Sequence, residues 1–144
     1  MTQKAKDFSR ALDYLGSRPD VDPTRLAVLG VSEGLSFVAL ALDDRLKAGV
    51  VHGGGWLGPS RMPPEVDLLN FAPRVRAPVL LLTGRYDPEY DREGRQLFLR
   101  LLGTPEKDKR LVLVDSGHAL MRNPDAIRET LDWLDRYLGP VAAP

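Results

Sequence analysis

"LAVLGVSEGLSF", residues Leu26 to Phe37, decides how the rest of the chain is read. An apolar run of strand length passes into Gly30-Val31-Ser32-Glu33-Gly34 and then into helix-forming residues. A strand, a sharp turn that exposes a serine, and a helix are written this way, as the G-x-S-x-G nucleophile elbow. The run lacks polar alternation, which predicts a strand buried on both faces, as in a parallel sheet. Small residues on either side of Ser32 fit a strained turn with no room for Cβ atoms, hence Gly30 and Gly34. Ser32 is therefore a candidate nucleophile.

The surroundings repeat the alternation of strand and helix. Upstream, "AKDFSRALDYLGSRP" places Phe8, Leu12 and Leu15 at helical spacing, with Gly16 and Pro19 as a stop. Downstream, residues 34–44 predict a helix and "LKAGVVHGG" a second strand. Residues 53–76 are rich in Gly, Pro and polar residues and predict a long loop with a short helical turn near Val66 to Phe71. "APVLLLTG" is a third strand, Arg92 to Leu102 a helix closed by Gly103 and Pro105, and "KRLVLVDSG" a fourth strand. The last helix, "NPDAIRETLDWLDRYLG", carries Asn123 as N-cap, Pro124 at its first position and Gly139 at its end. The expected fold is α/β, with four parallel strands joined by right-handed crossovers, in a single domain over residues 1–144.

Bulk composition narrows the function classes. With 43% hydrophobic and 28% charged residues, and no apolar run near the roughly 20 residues of a membrane span, a soluble protein off the membrane is expected. Twenty basic residues balance twenty acidic ones without long blocks of either sign, so no nucleic-acid partner is expected. The absence of cysteine excludes disulfides, thiolate metal sites and a thiol nucleophile. "MTQKAKDFSRAL" has no apolar stretch of the signal-peptide kind, and the expected location is cytoplasmic.

In an open parallel sheet, ligands bind at the carboxyl ends of the strands. Three of the four predicted ends carry reactive side chains: Ser32, Asp87 in "TGRYDPEYD", and His118 in "DSGHAL". A serine hydroxyl needs a base to take its proton, an imidazole serves near neutral pH, and a carboxylate fixes the imidazole tautomer and steadies its cation. Alone, each residue has a plainer explanation: an ordinary turn, a surface histidine, an Asp-Pro turn. Their joint placement favours a triad, with Asp91 and Asp115 as fallback carboxylates. The Glu33 N–H, at a helix start, is the expected first oxyanion donor, while its carboxylate reads as a solvated cap.

The order Ser, Asp, His is that of the α/β hydrolases. The chain resembles the C-terminal half of that family, near the dienelactone-hydrolase and prolyl-oligopeptidase-like esterases, through "RPDVDPTRLAVLGVSEG", "APVLLLTGRYDPEYD" and "SGHALMRNPDAIRETLDWLDRYL". "NFAPRVRAPVLLLTGRYD" and "LFLRLLGTPEKDKRLVLVDSGH" are also similar to hydrolase-like domains in some bacterial multidomain proteins, certain serine/threonine kinases among them. The resemblance implies a truncated α/β-hydrolase fold, Ser32 as nucleophile, His118 as base, Asp87 as orienting acid, and no cofactor or metal. It also implies that the first four of eight strands, and the loop giving the second oxyanion amide, have no counterpart. "HGGGW", His52 to Trp56, resembles the HGGG motif of lipase-like esterases but follows the nucleophile instead of preceding it. Two readings stand: a Gly-rich loop passing near the site, which is preferred, or a substitute oxyanion donor from Gly53 to Gly55, with Gly54 at its centre. His52 reads as a rim residue. Trp56, Leu57, Met62, Tyr86 and Tyr90 are candidates for an acyl pocket, each equally a core residue, and Arg85 reads as a surface arginine.

The expected activity is a serine carboxylesterase acting on small short-chain acyl esters through an acyl-enzyme on Ser32. The rival reading is a hydrolase-derived interaction module or fragment with weak or no turnover, since losing one oxyanion donor costs on the order of a hundredfold to a thousandfold. Peptidase activity ranks third. An apolar strand left unpaired at the sheet edge predicts a homo-oligomer that covers it.

Overall fold

The four apolar runs form one parallel sheet: β1 (Leu26–Val31), β2 (Leu46–His52), β3 (Val79–Gly84) and β4 (Lys109–Val114), in the spatial order β1-β2-β3-β4. The computed structural model describes residues 2–32, 34–54, 63–89 and 91–141. Expectations for Glu33, Gly55, Trp56, Leu57, Met62 and Tyr90 fall outside these residues. All of β3 is buried, and so is β2 apart from Lys47, as expected of strands that lie between neighbours and under helices on both sides. β1 departs from its expected double burial. It stands at the edge, with Leu29 42% and Val31 43% exposed, because an apolar run reports an affinity for burial and not the presence of a neighbouring strand.

Side chains alternate between two apolar layers. Val28, Val51, Val79 and Leu81 meet Leu12 of α1 (Thr2–Ser17), Phe37 of α2 (Leu35–Leu42) and Phe98. The Phe37 and Phe98 rings meet edge to face, 4.6 Å between centroids. On the opposite face Ala48, Val50, Leu80 and Leu82 pack against Leu120 and against Ala126 and Trp133 of a single long helix near the C-terminal end. The predicted long loop contains a short helix, α3 (Leu68–Phe71), flanked by two 3-10 turns, Pro64–Val66 and Ala72–Arg74. α4 (Arg92–Leu101) connects β3 to β4, and α5 (Pro124–Leu138) is the long helix just described.

The caps follow the predicted chemistry at α5. The Asn123 side chain accepts from the N–H groups of Asp125 and Ala126, a cap worth about 1 kcal/mol. Gly16 lies inside α1, which runs one residue past the predicted stop. Among the described residues no helix is long and apolar enough to cross a membrane.

Candidate functional site

Each reactive residue follows the carboxyl end of a strand. Ser32 comes directly after β1 with φ 61°, the only positive φ of a non-glycine residue among those described. An L-residue in this left-handed region costs on the order of 1–3 kcal/mol, and such strain gathers at functional sites. The turn is held by the Ser32 N–H, which donates to the His52 carbonyl at 2.8 Å. Gly30 is required by packing, since a Cβ there would lie 1.7 Å from the Ser36 hydroxyl oxygen. Gly34, with φ −75°, has a backbone any residue adopts.

Asp87 and His118 come together from β3 and β4. The chain after β3 is tied to the chain after β4 by the Arg85 N–H donating to the Val114 carbonyl (2.9 Å) and the Tyr86 N–H to the Ser116 carbonyl (3.0 Å). His118 Nδ1 then stands 3.0 Å from Asp87 Oδ2. A carboxylate only accepts, so Nδ1 carries the proton and the neutral ring presents Nε2 as its lone-pair nitrogen. The Asp87 carboxylate is wholly buried and its other oxygen accepts the Glu89 N–H at 2.9 Å. The fallback carboxylates stand elsewhere: Asp115, exposed just beyond β4, pairs with Arg85 at 2.8 Å, and Asp91 occupies the N-cap position of α4, where its side chain makes no capping hydrogen bond.

The two-glycine segment after β2 lies between these parts. A Cβ on Gly53 would stand 3.1 Å from His118 Cε1, and one on Gly54 would stand 3.5 Å from the Ser32 carbonyl oxygen. The His118 ring and the Ser32 backbone thus flank one dipeptide; a Cβ at Gly53 would crowd the ring, and φ there is 69°, where L side chains are strained. The Gly53 N–H is engaged by the Leu82 carbonyl at 2.7 Å and is unavailable to a ligand. The Gly54 N–H enters no such bond among the described residues.

His52 is not at the rim as the sequence reading has it. It is 2% exposed, faces α5, and its Nε2 lies 3.1 Å from Thr130 Oγ1. The Thr130 hydroxyl donates to the Ala126 carbonyl, so it accepts from His52 Nε2–H and leaves Nδ1 as a buried, unpartnered lone pair. Strand alternation explains the placement, because His52 follows Ala48 and Val50 on the α5 face. Burial pushes its pKa below the ordinary 6.5. Tyr86 is 69% exposed beside the Asp87 turn.

One residue escaped the sequence reading altogether. Arg95 is fully buried on α4, with Nη1 donating to the Gly54 carbonyl (3.0 Å), Nη2 to the Glu89 carbonyl (3.1 Å), and Nη2 3.6 Å from Asp87 Oδ2. Its signal was positional: Gly94, Arg95, Phe98 and Leu102 fall on one helical stripe, which is the buried one, while Leu97 and Leu101 are exposed.

No family model and no curated protein matches the chain. Among solved structures it is similar over 95% of its length to a cold-adapted esterase from an Arctic intertidal metagenomic library, at 24% identity and TM-score 0.74. It is similar over 92% to an esterase of Pyrococcus furiosus (18%, 0.76) and over 96% to an alpha/beta hydrolase from a Penicillium species (14%, 0.77). The chain has the α/β-hydrolase fold. It spans 59% and 61% of the two esterases, and its four strands belong to the C-terminal half of the α/β-hydrolase sheet. At these identities the likeness carries the fold.

Proposed function

We propose that this α/β-hydrolase-fold chain is a serine carboxylesterase for small short-chain acyl esters. The observation that carries the reading is the strained Ser32, held in the left-handed region at the one turn where the motif calls for a nucleophile. Strain at a serine of this kind is retained where it aims the hydroxyl. The Asp87-oriented His118 supplies the complementary base, with Nε2 taking the Ser32 proton as Oγ attacks the ester carbonyl. The alkoxide leaves with that proton, and water, deprotonated by the same nitrogen, releases the acid.

The tetrahedral oxyanion needs two donors. The Glu33 N–H is assigned as the first, and the Gly54 N–H as the second, which is the one amide of Gly53–Gly54 not already spent in the sheet. Trp56, Leu57 and Tyr86 are assigned to the acyl-binding rim. Two named esterases among the structural neighbours support the ester-hydrolase class.

The reading extends to assembly. The β1 edge is six residues of "LAVLGV" without a charge or a proline to blunt it, and it bears the exposed Leu29 and Val31. An edge of this kind pairs with another strand, and a second copy across a two-fold axis would cover both edges at once.

The test is hydrolysis of p-nitrophenyl acetate and butyrate by the chain and by Ser32→Ala, on the peak from a sizing column with light scattering. Turnover that disappears in the variant, from a peak of dimeric mass, is the expected result. Equal background rates in both would overturn the esterase reading in favour of a hydrolase-derived interaction module. A monomeric active peak would overturn the assembly alone.

A further inference from the structure

We propose that Arg95 is a positioning residue that locks the Asp87–His118 pair and the Gly53–Gly54 segment into one rigid unit; the catalytic part of this inference rests on the esterase reading above. The guanidinium sits on α4, yet the Gly54 carbonyl, the Glu89 carbonyl and the Asp87 carboxylate lie on the loops that follow β2 and β3. One arm holds the Gly54 carbonyl and the other holds the Glu89 carbonyl while lying against the Asp87 carboxylate.

Packing alone gives no reason for a cation here. The stripe it occupies also carries Phe98 and Leu102, the latter just past the helix, and an aliphatic side chain would pack there without the several kcal/mol that removing a guanidinium from water costs. That cost is offset only because the fork reaches acceptors in two directions, which a lysine, as a single point of charge, does not reproduce.

The consequence for the site follows from which peptides are fixed. The Gly53 N–H is pinned to the Leu82 carbonyl at 2.7 Å, and the Gly54 carbonyl is pinned to Arg95 at 3.0 Å. The peptide between them, which carries the Gly54 N–H, is therefore held from both sides, and the His118 ring rests against Gly53. On the other arm, Asp87 Oδ2 is shared between His118 Nδ1 and the guanidinium, while Oδ1 is fixed by the Glu89 N–H. The carboxylate cannot rotate without breaking one of these contacts. These contacts reach the partner of the base and the peptide of the assigned oxyanion donor, so Arg95 acts through those two groups.

The experiment compares the wild-type chain with Arg95→Met and Arg95→Lys. It uses kcat and KM on p-nitrophenyl butyrate, circular-dichroism melting, and the low-field Nδ1 proton of His118 by NMR. The chain has only two histidines, so His52→Gln assigns the signal. For folded Arg95→Met the expected result is a fall of about a hundredfold in kcat with KM within about twofold, as for a misplaced catalytic group, and loss of the His118 proton signal to exchange. Arg95→Lys restores charge without the fork and should fall between the two. A folded Arg95→Met with wild-type kcat and a retained proton signal overturns the proposal. Should the Met variant fail to fold, Arg95→Lys decides on the same two readouts, and wild-type values for both overturn the proposal. If the wild-type chain shows no Ser32-dependent turnover, the esterase reading falls, and the His118 proton alone decides whether Arg95 locks the pair.

Discussion

Replacing Asp87 by asparagine sets one short hydrogen bond against another. In the native site both carboxylate oxygens accept: Oδ1 from the Glu89 N–H at 2.9 Å and Oδ2 from His118 Nδ1–H at 3.0 Å. Asparagine has one oxygen and one NH2, so one of these contacts must become donor against donor. Turning the NH2 toward Glu89 opposes it to a backbone N–H at 2.9 Å that cannot change its proton. Turning it toward His118 opposes it to a ring that can, because the imidazole shifts its proton from Nδ1 to Nε2. The NH2 then also faces the guanidinium, but at the longer separation of 3.6 Å. The second orientation wins. The ring is left with its proton on the nitrogen that the proposed mechanism needs to accept from Ser32, a wrong tautomer worth about 10⁴ in kcat where a Ser-His-Asp triad operates. The same change strips the buried Arg95 of its ion partner, but the Gly54 and Glu89 carbonyls remain bonded to it. The stability loss should therefore sit at the low end of the range for breaking a buried pair, about 3 kcal/mol. The assay is steady-state hydrolysis of p-nitrophenyl butyrate with urea unfolding on the same samples, and Asp115→Asn as control. Asp115 is exposed and paired only with Arg85, so the control should stay within about twofold in kcat and lose about 0.5 kcal/mol or less. A folded Asp87→Asn with kcat within tenfold of wild type would refute the assignment of Asp87 as the orienting acid.

Ser32→Gly should be more stable than Ser32→Ala while both lack turnover. Relief of the left-handed backbone returns about 1–2 kcal/mol, the freer unfolded glycine chain removes about 0.4–1, and urea midpoints should show the remaining 0.5–1 or so; equal midpoints would deny the strain. His52 should make stability fall in mild acid. The fold holds its pKa below the ordinary 6.5, so above 6.5 both states are neutral and the residue contributes no slope. Below 6.5 the unfolded chain binds a proton the fold refuses, and stability drops by up to about 1.4 kcal/mol per pH unit until the folded value is passed. Urea titrations at pH 7.5, 6 and 5 should show this limb in the wild type and its flattening in His52→Gln; an unchanged limb in the variant would assign it to another group.

The strands, helices and Asn123 cap were legible because each rests on local chemistry: apolar runs of strand length, Gly and Pro stops, an amide that reaches the next N–H groups. The elbow was legible for the same reason, since Gly30 and Ser32 carry the constraint within three residues. What the sequence hid was long-range. An edge for the truncated sheet was foreseen, but an apolar run such as "LAVLGV" does not say how far a helix reaches over it, so the exposure of Leu29 and Val31 appeared only with the structure. His52 was misplaced because the Gly-rich stretch after it suggested a loop, whereas strand alternation continues through it and turns it toward α5. Arg95 was missed because a charged residue on a helix ordinarily faces water. Its burial is offset by carbonyls 6 and 41 residues away, which no local pattern encodes.

The covering of one sheet face by α5, the one helix on that face among the described residues, also has a meaning during synthesis. Because β1 through β4 are laid down in spatial order with α2, α3 and α4 between them, each unit can dock on the last as the chain emerges from the ribosome. The opposite face, with Ala48, Val50, Leu80 and Leu82, has no cover until α5 has been made. Until then the nascent chain carries an open apolar plate, so a stalled or early-terminated product lacking residues 124–138 is the species expected to engage chaperones or aggregate.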